Sequence, residues 1–162
     1  MTQLDWENYF RTLAALHQSL LHTTNQPHFF RGELDEFFSG LRSRVNYPAL
    51  IFESSTLDIE GEIARNFQRR TLAIIVTKNH TRDDWSEISQ ALAQCETIAG
   101  DLLGRLLNDI DTDAVTSLNG VSVLDIHGEA LQNPADKYVG WRFEFVVQEP
   151  VCLYHSTNFA SE

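Results

Sequence analysis

Basic residues are scarce in this chain. Twelve Lys and Arg stand against twenty-three Asp and Glu in 162 residues, a formal net charge of −11. Affinity for a phosphate backbone comes from neutralising phosphates with Lys and Arg, so nothing here grips nucleic acid electrostatically. Cysteine is nearly absent: Cys95 and Cys152 sit far apart in no C-x-x-C, and no Cys/His group has zinc-finger spacing. No apolar run approaches the ~18 residues of a membrane span. The start, MTQLDWENYF, lacks the basic and apolar regions of a signal peptide. These absences predict a soluble chain, with no membrane partner, that is cytoplasmic or carried by something made in a cytoplasm.

What is present is apolar and aromatic. Hydrophobic residues make up 43%, with ten Phe, four Tyr and three Trp. That is the composition of one packed domain, placed at residues 1–155, with 156–162 as a frayed tail. Trp6, Tyr9, Phe10, Leu13, Leu16, Leu20 and Leu21 paint a helical stripe over 5–22, with Asp5 as N-cap. Phe30, Leu34, Phe37, Phe38, Leu41 and Val45 predict a second helix, ending before Pro48. YPALIFES reads as a strand buried on both faces, and TLAIIVTKN (71–79) as another. The polar stretch between them, LDIEGEIARNFQRR, reads as a long loop.

A long helix then starts at an Asp84 cap, with Trp85, Ile88, Leu92, Cys95, Ile98, Ala99, Leu102, Leu103 and Leu106 down one side. VSVLDIHG (121–128) is a third strand, followed by a loop. The fourth is DKYVGWRFEFVVQEPVCLY (136–154), with Val139, Trp141, Phe143, Phe145 and Val147 facing the core. The expected fold is α+β: a four-stranded, mainly antiparallel sheet covered on one face by the long central helix and the N-terminal helices.

Chemistry is hard to place on these elements. No G-x-S-x-G elbow exists, and Cys152 with His155 or His127 lacks a helix N-terminus to activate the thiol. His17 and His22 are five apart, off the i, i+4 spacing of two ligands. Glu53, Asp58, Glu60 and Glu62 lack the spacing of a calcium loop. NHTRDD, before the long helix, has no glycine with which to cradle phosphate. His80 and His127 are the remaining candidates for an enzyme. The expectation is no catalysis, no metal and no cofactor. Arg65, Arg69 and Arg70 make one small basic cluster, suited to carboxylates on a partner surface.

Four phrases carry a family likeness: VNYPALIFES, TLAIIVTKN, CETIAGDLLGRLLND and DKYVGWRFEFVVQEPVCLY, with fixed points at Tyr47–Pro48, Cys95–Glu96 and Gly140–Trp141–Arg142. Over residues 30–155 the chain resembles small proteins of phage and prophage tail gene clusters, and in outline the tail terminator and neck proteins of long-tailed phages. The resemblance implies a non-catalytic structural protein of a virion or phage-like particle, assembled in the bacterial cytoplasm. It implies a homo-oligomeric ring, such as a hexamer, docked on other tail or neck proteins, with DNA only as passing cargo. A cytoplasmic adaptor is the alternative. The expected subunit interface is the long loop with its charges, Asp58, Glu60, Arg65, Arg69 and Arg70.

Overall fold

The structure, a computed structural model, describes residues 1–32, 45–62, 65–80, 84–133 and 137–151. In chain order these form helix α1 (Gln3–Leu16), strands β1 (Phe29–Arg31), β2 (Ala49–Phe52), β3 (Thr56–Glu62) and β4 (Arg65–Asn79), helix α2 (Trp85–Asp111), a 3₁₀ turn (Thr116–Leu118), and strands β5 (Ser122–Asn133) and β6 (Tyr138–Val151).

The fold is α+β, and its sheet has six strands where four were expected. The order is β1-β2-β4-β6-β5, with β3 also paired to β4. The sheet is mixed, because β1 runs parallel to β2 while every other pair is antiparallel. Both added strands come from segments read differently in the sequence. Phe30 opens the expected second helical stripe by spacing, but its backbone pairs with Ile51 and that of Phe29 with Leu50. The rest of that expected helix, 33–44, lies outside the described residues. LDIEGEIARNFQRR is no loop: it is most of the β3–β4 hairpin. Leu57 and Ile59 alternate with Asp58 and Glu60, a period of two that the high charge disguises. The expected third strand also runs on, through His127 and Glu129 to Asn133.

The long antiparallel ladder between β4 and β6 is the spine, running from Asn79↔Tyr138 to Asn66↔Val151. Gly140 lets these strands approach, since a Cβ there would stand 3.0 Å from Thr77 Cα and closer still to the Val76 carbonyl. Along β6 the sides fall as the alternation predicts. Trp141, Phe143, Phe145 and Val147 pack into the main core, and Val139 meets Ile88 and Ala91 of α2. Pro150 lies past the last β5 pair, Ser122↔Gln148, so its missing N–H breaks no ladder on that side.

Helices α1 and α2 cover one face. Thr2 caps α1, and Asp5 is its capping-box partner, not the cap: the Asp5 N–H donates to Thr2 Oγ1 at 3.2 Å and the Thr2 N–H to Asp5 Oδ2 at 2.7 Å. The Thr2 N–H and then its hydroxyl, both donating to Asp5 Oδ2, hold the Asp5 carboxyl below its usual value. Phe10 stacks on Phe52 at 5.5 Å and leans on Phe145 at 6.0 Å, joining α1 to the sheet. Each such fully buried ring contributes about 1.5–3 kcal/mol. Asp84 caps α2 as expected, accepting from Ser86 at 2.9 Å.

The opposite face is not bare. Ala49, Ile51, Ile75 and Tyr138 form a second buried cluster there with Phe30, Val45, Tyr47 and Leu131. Strand β2 is therefore buried on both sides, as its unbroken apolar run predicts.

Candidate assembly surface

The β3–β4 hairpin projects past the helices. One edge of β4 is divided: β2 pairs with Ile74–Thr77, while β3 takes Arg65–Thr71. Among the described residues no strand pairs with the outer edge of β3, the kind of edge on which another chain can pair. On the helix-side face of this arm Leu57 and Ile59 are 45% and 51% exposed. Leu4, in the first turn of α1, is 58% exposed. Gln3, beside it, ties that turn to the arm, accepting from the Ser55 N–H at 3.3 Å and from its hydroxyl. Apolar side chains thus emerge where the helical layer ends.

The five expected interface residues divide between two faces, because neighbours on a strand point opposite ways. Asp58 lies opposite Arg69, whose Nε donates to Gln148 at 3.1 Å. Glu60 pairs with Phe67, and Glu62 with Arg65, in register. The side chains of Glu60 and Arg65 lie outside the described residues. Arg70 points the other way and is 7% exposed. Its Nη1 donates to Ser55 Oγ at 2.8 Å, while its buried Nε has no partner. Among the described residues no carboxylate lies within ion-pair distance of it. Close by, Glu149 holds Gln68 and the Met1 ammonium.

The far side of the sheet carries an acidic cluster that motif reading missed. Arg142 Nε donates to Glu53 at 2.8 Å and its Nη2 to Glu144 at 3.0 Å, with Glu129 at 3.6 Å from Nη1. Burial strips water from this guanidinium, but the bonds to Glu53 and Glu144 hold its pKa above the usual value. Three carboxylates around one cation leave two negative charges. The signal was the period of two linking Arg142 to Glu144; Glu53 and Glu129 arrive only through strand pairing.

The other candidates do not converge. Cys95 is fully buried on α2, and burial pushes its thiol up to about 12, far from a nucleophile. His80 is buried at the end of β4, whereas His127 is exposed on β5 opposite Glu144. Seven rungs of ladder separate them, on the order of 20 Å. Cys152 and His155 lie outside the described residues. Between α1 and α2 a half-open cleft of about 350 Å³ contains Tyr9, Arg105 and Asp109. Tyr9 donates to Asp109 at 3.0 Å and Arg105 at 2.6 Å, so the buried carboxylate is satisfied internally. Burial first, then Asp109, raises the phenol well above its usual range. Among the described residues no three His, Cys, Asp or Glu side chains gather to hold a metal, and no helix is long and apolar enough to cross a membrane.

No protein-family model matches the chain, and a search of curated proteins finds no relative.

Proposed function

We propose that this protein is a structural subunit that works by self-association, in the manner of a tail terminator or neck protein of a phage or phage-like particle. The carrying observation is the β3–β4 arm, which combines a strand edge unpaired among the described residues with exposed Leu57 and Ile59 beyond the helical layer. Exposed apolar strands are avoided in monomers because they template association. The acidic cluster around Arg142 suits a ring wall that DNA passes without adhering, since like charges repel. The reading needs no cofactor, and its partners are further copies of this chain and neighbouring tail or neck proteins.

Light scattering across concentration, with negative-stain imaging of any large species, tests it. Closed rings, six-fold ones in particular, are the expected result. A strict monomer at every concentration would count against self-association and favour a monomeric adaptor.

A further inference from the structure

We infer that the subunits join head to tail, with the Trp85 corner of one copy seated on the arm of the next. The inference rests on the self-association reading and specifies its contact. Trp85 opens α2 and is 74% exposed, the most exposed large apolar side chain described. Aromatic residues of this size anchor interfaces when a partner desolvates them. The Asp84 carboxylate stands beside it. One oxygen caps the helix through Ser86, and no described residue bonds the other.

The complementary features are at the opposite end of the molecule. Strand β4 runs from the arm to Asn79, shortly before Asp84, and Ile88 packs on Val139 at the same end. Arg70 lies nine residues before Asn79, roughly 30 Å away along the strand. There Leu4, Leu57 and Ile59 offer an apolar seat, and Arg70 is a nearly buried cation with no carboxylate of its own among the described residues. A buried guanidinium is costly until an anion meets it. A second copy brings both missing parts on adjacent residues: the indole for the apolar seat and the Asp84 oxygen for Arg70. The opposed charges select this pairing in a chain that otherwise repels its copies at −11. Because knob and seat are different surfaces, the contact is heterologous and repeats until it closes a ring or runs on as a filament.

Three variants at exposed positions test this, each first shown by circular dichroism and thermal melting to fold as the wild type does. Trp85→Ala removes the knob, and Ile59→Asp spoils the seat. Each alone is expected to weaken association at least tenfold and sediment as a monomer. Mixed one to one they should form a dimer and nothing larger, because one copy keeps the seat and the other the knob. Asp84→Asn preserves the helix cap and removes only the charge; it should weaken association several-fold and reduce its salt dependence. If the wild type assembles and the variants assemble equally well, this contact is wrong and self-association stands. If both variants are monomeric but their mixture does not dimerise, head-to-tail pairing is wrong. A monomeric wild type overturns both readings.

Discussion

Alanine in place of glycine should move stability in opposite directions at two places in this chain. Gly140 has an ordinary β conformation, so alanine meets no backbone strain there; the obstacle is space. Its Cβ would stand 3.0 Å from Thr77 Cα and nearer to the Val76 carbonyl, both backbone atoms of β4. A side chain could rotate away, but a paired strand cannot. The ladder must part until flanking bonds stretch past ~3.2 Å. Overpacking of this kind costs about 1–3 kcal/mol, and a backbone neighbour places it near the upper end. For a domain of this size, about 3 kcal/mol lowers Tm by roughly 6–12 °C. Gly100 and Gly104 are the counterpart. They are exposed on α2 with nothing within 4 Å of an added Cβ, so no neighbouring backbone requires them. Alanine should stabilise by about 1 kcal/mol at each, raising Tm by roughly 2–4 °C. Urea titrations and calorimetric scans of Gly140→Ala, Gly100→Ala and wild type give all three values. The reasoning fails if Gly140→Ala lies within ~0.5 kcal/mol of wild type, the range of an ordinary surface change, or if Gly100→Ala destabilises.

Arg142→Met should cost about 2 kcal/mol by leaving nearly buried Glu53 unpaired, less than the ~3–5 kcal/mol of a fully buried pair because Arg142 is partly exposed. Adding Glu53→Leu should recover most of it in urea titrations, and a double variant no better than the single refutes the pairing. His22 Nδ1 accepts the His28 and Phe29 N–H groups at 3.1 and 3.2 Å, so protonation breaks both bonds. Burial, then the nearby Arg11 and His28 charges, lowers its pKa. The unfolded chain therefore binds the proton more readily. This contribution is complete above the unfolded value of about 6.5 and shrinks as pH falls below it. His22→Gln should flatten that slope in melts from pH 7.5 to 5. Native protein treated with iodoacetamide at pH 8 should stay unmodified at Cys95 and react there only after unfolding, as peptide mass mapping will show.

The elements with one dominant period were legible. Strand β6 announced its core face because a large apolar residue recurs at every second position from Val139 to Val147, with Gly140, Arg142 and Glu144 between the first four. The Asp84 cap and the stripe from Ile88 to Leu106 were equally plain. Trp85 belongs to the same stripe and yet is exposed: it lies a turn before Ile88, whose contact is Val139 at the start of β6, so the sheet ends beneath it. Strand β3 was hidden because its polar positions are charged and Gly61 interrupts it. Its pairing depends on β4, a neighbour whose own first half looked like loop. Of the expected interface residues, sequence spacing grouped Arg69 and Arg70, while strand alternation sends them to opposite faces. Only the fold shows that Arg70 has no carboxylate within ion-pair distance among the described residues.

The β4–β6 ladder also orders events in time. Its rungs join residues that are nearest in sequence at Asn79–Tyr138 and progressively farther apart toward Asn66–Val151. Loop-closure entropy rises with the length enclosed, so the first rung is favoured where Asn79 meets Tyr138, with α2 and β5 already held in the loop. Pairing then zips outward, and the rungs bearing the arm close last. Such non-local pairing makes for slow folding. The β3–β4 hairpin closes locally, but it is fixed to the body only by these last rungs; on the self-association reading proposed above, a chain would complete the seat around Arg70 only once they are in place.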